Sequence, residues 1–371
     1  MSIDPSAARG ARSSQRRVRV YKTLRTAHLE RALAMEPADI VYLESRYDFD
    51  GELARRTAPE QAGDLRAAFL VARRGYDEIE VNEPAAIDCV RRSMYVVAAV
   101  RARDIVTRRR SSVVAYAIGN IDPSDLPRPR HPWARLGRRL DERLARILWR
   151  QIDRVAFGTE TSRDLYRDRF PPLRRDARTV LIPALPAPCA CPDQAPPRNG
   201  EILFLGDLSE RKGFDQVLTA WPSVAASLSM ARLTIVGRGT LRAAADDLAA
   251  RDDRVTFLHD PPRDRVHQAL RTASVVVLPS RRRANWREQV GLPIVEGLAH
   301  GCTIVTTDET GIASWLAAHD HHVLPGGSNS DELAGALVRA ASSPLDPDDV
   351  LRSLPTDDSR RAADSWLFGS E

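Results

Sequence analysis

SVVVLPS (274–280), RRRANWR (281–287), EQVGLPIVE (288–296) and GLAHGCTIVT (297–306) form the stretch whose reading decides the fold. An apolar, β-branched run stops at Pro279 and a charged loop follows. Gly291-Leu292-Pro293 then opens a helix running to about His300, and Cys302–Thr306 is a second apolar run. Runs without polar alternation suit strands covered on both faces. Strand, helix and strand in this order make a parallel crossover unit.

The same rhythm extends outward. EILFL (201–205), LTIV (233–236) and VTFL (255–258) precede the unit, each separated from the next by a helical stretch. In the first half DIVYLE (39–44), DEIEV (77–81), SVVAYAI (112–118), RVAF (154–157) and TVLI (179–182) alternate with helical segments such as 58–74 and 85–103. The two series are interrupted by PALPAPCACPDQAPPRNG (183–200), proline-rich and without period, which reads as a linker. The expected fold class is therefore α/β, with two Rossmann-like domains built on parallel sheets. Residues 1–16 read as a disordered lead, 17–185 as the first domain, 186–200 as the linker, 201–345 as the second domain and 346–371 as a polar tail with a short helix near 360–366.

Composition agrees with two soluble bodies. Of 371 residues, 43% are hydrophobic and 28% charged, enough for real cores. No apolar run approaches the roughly 18 residues that cross a bilayer. No apolar stretch follows the basic N-terminus, so the expectation is no secretory signal and a cytoplasmic location. Residues 1–190 carry 36 basic and 25 acidic side chains, residues 191–371 carry 19 and 25, so halves of opposite sign are joined. Of the 55 cations only Lys22 and Lys212 are lysines, which singles out position 212 in the second half. Cys89, Cys189, Cys191 and Cys302 are too few and scattered for a disulfide framework. Cys189 and Cys191 lack the two-residue spacing of zinc knuckles, so an incidental or structural role is expected.

Two constellations carry chemistry. Glu288 lies in the loop after a parallel strand, where ligands bind in open sheets, and Glu296 lies in the helix behind it. The helix opening at Gly291, Leu292 and Pro293 offers backbone N–H groups and a positive dipole end to an anion such as a diphosphate. The two carboxylates would then grip hydroxyls at opposite ends of one ligand; the bland alternative is a solvated loop Glu and a helix Glu paired with an Arg. FLGDLSERKG (204–213) follows the first strand after the linker. Gly206 lets a phosphate approach the backbone, and Arg211 and Lys212 would neutralise it. Lys212 is a compact point charge, which suits following a leaving diphosphate. The alternative is a solvated basic turn. VGRG (236–239) adds a nucleotide-type turn of low specificity.

Taken together, the turn at 206–213, VGRG at 236–239, LPS at 278–280, the Glu288/Glu296 pair and GCTIV at 301–305 resemble the donor-binding domain of family 4 glycosyltransferases (glycosyl transferases group 1), retaining enzymes of the GT-B fold. The resemblance spans about 201–343. It implies two Rossmann-like domains facing across a cleft, with the C-terminal segment crossing back to the first. It also implies transfer of a sugar from a nucleotide-diphosphate donor to an acceptor hydroxyl with retention, and without a metal or cofactor. Glu288 would sit at the donor sugar and Glu296 at the ribose; Gly291 and Leu292 would offer N–H groups, and Arg211 and Lys212 would bind the diphosphate. Asp207 stands where the family often has Arg, which motivates an alternative: a GT-B-shaped nucleotide-sugar-binding or partner subunit with little or no transfer.

On the acceptor side the family's histidine positions read Asn82-Glu83-Pro84 and Gly119-Asn120 instead, leaving Glu83 and Asn120 as candidates. Asp48-Phe49-Asp50 has the metal-binding pattern of the other large glycosyltransferase fold but reads as a solvated loop. Residues 132–152 form a basic amphipathic helix, read either as a domain helix with a solvated arginine face or as a contact with an anionic membrane carrying a lipid-linked acceptor. Without an aromatic platform beside these arginines, no nucleic-acid partner is expected.

Overall fold

The computed structural model describes residues 16–45, 51–127, 129–191 and 200–369. Residues 1–15 of the lead, Asp48-Phe49-Asp50 and residues 192–199 of the linker lie outside the described residues.

Seven parallel strands make the first sheet: β1 (Arg17–Leu24), β2 (Asp39–Ser45), β3 (Glu60–Gln61), β4 (Glu78–Glu80), β5 (Ser112–Ala117), β6 (Arg154–Phe157) and β7 (Arg178–Leu181). Six make the second: β8 (Glu201–Asp207), β9 (Arg232–Arg238), β10 (Val255–His259), β11 (Val275–Leu278), β12 (Thr303–Thr307) and β13 (His322–Leu324). The spatial orders are β3-β2-β1-β4-β5-β6-β7 and β10-β9-β8-β11-β12-β13. Each sheet grows one way from its first strand and then the other way. This leaves a topological switch point between β1 and β4 and another between β8 and β11, the places where open sheets bind ligands. Helices cover both faces, so Phe204, Ile235, Val276 and Ile304 are buried in one core and Val18, Ile79, Val113 and Val155 in the other.

Three local expectations are corrected. The central strand β1, RVRVYKTL, escapes the reading because its charges mimic a surface segment; Arg19 is in fact fully buried. The helix expected over 58–74 is Asp64–Arg74, preceded by the short β3 and by Ala58 at φ 45°, a left-handed turn that stops the preceding helix. The helix from Phe214 continues through Pro222 to Ser227, the proline forfeiting only the bond its missing N–H would donate.

The tail returns to the first domain, and its last helix buries two charges, Arg360 and Asp364, that its polar sequence hides. Helix Ser359–Phe368 packs Ala363, Leu367 and Phe368 on Val114 and Ala156 of the first sheet. Asp364 accepts two bonds from Arg19 Nη2, at 2.8 and 2.9 Å, and one from the Glu36 N–H at 2.9 Å. Arg360 donates to Glu80 at 2.6 Å, and Glu80 also faces Arg19 at 3.3 Å. Burial of Arg19, Glu80, Arg360 and Asp364 is balanced by alternating sign.

The cysteines separate into two kinds. Cys89 and Cys302 are buried apart, whereas both linker sulfurs, of Cys189 and Cys191, lie beside His267 and His300.

Candidate functional site

The loops after β8 and β11 meet at the switch point of the second sheet. A 3-10 turn, Glu210–Lys212, ends at Gly213, which has φ 71° and starts the next helix. A Cβ on Gly213 would lie 2.0 Å from the Pro279 carbonyl oxygen, so the two backbones touch only because glycine is there. The Arg281 N–H donates to the Arg211 carbonyl at 2.9 Å and completes the join. Gly213→Ala is expected to destabilise the fold by more than the ~1–2 kcal/mol of a left-handed alanine, because Pro279 must also move. A urea midpoint unchanged from wild type would contradict this packing.

That join delivers Lys212 to Glu288. Their ion pair is nearly closed to water, the side chains being 12% and 10% exposed, and Ser280 Oγ donates to the same carboxylate oxygen at 3.0 Å. The Trp286 ring lies 4.8 Å from the Arg211 guanidinium and 5.1 Å from Lys212 Nζ, facing both cations. Arg211 is held by Asp207 at 2.9 Å. The crevice is therefore neutralised from within, each cation already holding a carboxylate.

Helix Leu292–Ala299 begins beside this pair. Gly291, its N-cap at φ 85°, sits where a Cβ would meet Ile294 Cδ1 at 2.9 Å. Leu292 is exposed, Pro293 is buried, and Pro293 faces Gly206 at the end of β8. The first-turn N–H groups of such a helix are not used by the helix itself. Glu296, one turn on, pairs with Arg263 at 2.6 Å and so does not share the Lys212 cluster.

The first domain reaches the same point. Asn120, after β5, donates from Nδ2 to the Glu288 carbonyl at 2.6 Å across the cleft. Asn120 is buried, and its Oδ1 has no partner among the described residues. Glu83, after β4, does not face the cleft pair. Its carboxylate accepts from the Gly119 N–H at 2.9 and 3.0 Å and, more weakly, from Tyr166 OH at 3.4 Å, bracing the loop that carries Asn120.

Withdrawal from water pushes the Glu83 carboxyl up to about 7, against the Gly119 and Ile118 N–H bonds, which favour its ionised form. An unfolded glutamate ionises near 4.5, so between that pH and about 7 the native state holds the extra proton. Stability is then expected to fall with rising pH across this window, by about 1–3 kcal/mol, and to level off above it. Glu83→Gln should flatten that segment of the profile; an unchanged slope in urea titrations from pH 4.5 to 7 would contradict the assignment.

Of the residues singled out in the sequence, Lys212, Glu288, Gly291 and Asn120 converge, with Arg211, Gly206, Leu292 and Pro293 around them. Glu83 stands one residue removed and Glu296 one helical turn away. Ser280 and Trp286 were not singled out. Ser280 ends the Leu-Pro-Ser motif, and Trp286 is the one aromatic in the arginine-rich loop, a signal available in the sequence.

Residues 199–343 match the glycosyl transferases group 1 family. Across both domains the chain superposes on the Anabaena HepE structure in complex with UDP, with a TM-score of 0.62 at 15% identity over 95% of each chain. The fold is GT-B.

Two curated relatives match over a length comparable with that of the family match. One is the phosphatidyl-myo-inositol mannosyltransferase of Mycolicibacterium smegmatis, 33% identical over 147 residues, which are 38% of this chain and 36% of that protein. Another is the GDP-mannose-dependent alpha-(1-6)-phosphatidylinositol monomannoside mannosyltransferase of Mycobacterium tuberculosis, 32% identical over 145 residues, 37% of each. The match thus spans little more than a third of either relative's length. The family match at 199–343 contains Lys212, Glu288 and Glu296 but neither Glu83 nor Asn120.

Proposed function

We propose that this chain is a family 4 glycosyltransferase, moving a hexose from a nucleotide-diphosphate sugar to an acceptor hydroxyl with retention and without a metal in the reaction. The Lys212–Glu288 pair at the switch point of the group 1 domain carries this reading. A diphosphate entering the crevice competes with Glu288 and Asp207 for Lys212 and Arg211. Glu288, released, turns to the hydroxyls of the sugar, while Gly291 and Leu292 offer N–H groups. Glu296, exchanging Arg263 for the ribose, holds the far end. The unpartnered Asn120 Oδ1 accepts from a hydroxyl of the bound ligand.

In the transfer itself the bond from the anomeric carbon to the phosphate oxygen breaks, its electron pair leaving with the diphosphate. The acceptor oxygen bonds to that carbon from the same face, and its proton passes to the departing phosphate. Lys212 and Arg211 oppose the charge that develops there, and the two domains hold the reactants together in a cleft with little water.

The relatives' names make GDP-mannose the first donor to test. Among the described residues no helix is long and apolar enough to cross a membrane. Helix Pro132–Trp149 nevertheless exposes Trp133, Leu136 and Leu140 among arginines, a face suited to an anionic lipid surface and so to a lipid-linked acceptor. A panel of GDP-, UDP-, ADP- and dTDP-sugars is incubated with the protein and candidate acceptors, and donor consumption and product anomer are read. One donor consumed, with a retained product and no dependence on added magnesium or manganese, is expected. An inverted product would overturn the mechanism. The salt bridge between Arg211 and Asp207 favours a second reading, a nucleotide-sugar binder with little turnover; saturable binding without consumption would establish it.

A further inference from the structure

Cys189 and Cys191 of the linker, His267 of helix Arg263–Thr272 and His300 at the end of helix Leu292–Ala299 bring four ligand atoms within 4.8 Å of one another. Cys191 Sγ lies 3.5 Å from His267 Nδ1 and 3.6 Å from His300 Nε2. Cys189 Sγ lies 3.9 Å from His267 Nδ1, and the two histidine nitrogens are 3.2 Å apart. A tetrahedral zinc with bonds of ~2.3 Å to sulfur and ~2.0–2.1 Å to nitrogen requires edges of about 3.6 Å between sulfur and nitrogen and about 3.3 Å between nitrogens. The Cys191–His267, Cys191–His300 and His267–His300 edges fall close to those values, and the Cys189–His267 edge is somewhat longer.

The surroundings prepare the ligands. The Glu296 carbonyl oxygen is 2.7 Å from His300 Nδ1, which must therefore carry the proton and leave a lone pair on Nε2, the atom facing the cluster. The Cys189 N–H donates to the Ala299 carbonyl at 2.7 Å, which pins the cysteine segment to the end of the same helix. Thiol and imidazole hydrogen bonds account for these contacts two atoms at a time, whereas one cation accounts for the convergence of all four ligand atoms.

We propose that Cys189, Cys191, His267 and His300 bind one structural zinc ion, which staples the interdomain linker to the donor-side domain. Two thiolates and two imidazoles select zinc over the hard cations, and four protein ligands leave no open position for chemistry. The ion ties the chain leaving the first domain to the helix whose other end presents Gly291, Leu292 and Pro293. Its place is independent of the transfer reaction proposed above.

The test is metal content of the full chain, purified under reducing conditions, supplied with zinc and then desalted. About one zinc per chain is expected, falling to background in the Cys189→Ser/Cys191→Ser variant and persisting in Cys89→Ser. Cobalt in place of zinc should give the intense visible bands of a tetrahedral site and a thiolate charge-transfer band. If the double variant fails to fold, thiol modification of the wild type should release the same equivalent to a zinc indicator. Zinc at background in the supplied wild type, zinc retained by a folded double variant, or a Cys189–Cys191 disulfide in the reduced preparation would each overturn the assignment.

Discussion

Lys212→Met is expected to lower the proposed sugar transfer by about 10²- to 10³-fold, the loss that follows when a preorganised charge opposite a developing anion is removed from a dry site. The methionine keeps the stem over Trp286, so the change isolates the ammonium. Lys212→Arg recovers little, because a planar guanidinium does not fit where a compact ammonium meets a carboxylate oxygen also bonded to Ser280. Lys212→Met also strands the Glu288 carboxylate, only 10% exposed, and so destabilises the fold. Adding Glu288→Gln should restore most of the stability and none of the activity. Transfer within a factor of about three of wild type in Lys212→Met would remove Lys212 from the chemistry.

The second large effect is on folding. Asp364→Ala is expected to cost about 3–5 kcal/mol, the range for breaking a buried ion pair by deleting one partner. Asp364 is fully buried and holds Arg19, itself fully buried, through both oxygens. Without it two guanidiniums share the single carboxylate of Glu80, and the Glu36 N–H loses its acceptor. Urea unfolding reads the loss, and Asp364→Leu/Arg19→Met, which removes both charges, should recover part of it. A loss under about 1 kcal/mol would mean that the helix is held by Ala363, Leu367 and Phe368 alone.

The same buried charges mark the limit of what the chain discloses on reading. Strands such as EILFL and SVVVL announce themselves because both faces meet apolar helices. The motifs at their ends then follow from topology, so Gly206, Lys212 and Glu288 were legible. β1, and the burial of Arg360 and Asp364 in the last helix, were obscured because these arginines and acids satisfy one another across hundreds of residues; composition cannot separate that from solvation. Asn120 was reachable by position in the first sheet. Its bond to the Glu288 carbonyl depends on how two separate domains meet, which local pattern does not encode. Glu296 and Arg263 lie on consecutive crossover helices, and nothing in the spacing pairs them. Cys189 and Cys191 looked incidental because their partners stand 76 and 109 positions from Cys191.

Because the closing helix lies on the sheet made earliest, biosynthesis meets an ordering problem. A nascent first lobe leaves the ribosome with the Arg19–Glu80 pair still lacking Asp364 and Arg360. It must wait on the order of ten seconds for the second lobe to be translated before Asp364 arrives. Premature termination near the end would therefore injure the part of the protein farthest from the break in sequence.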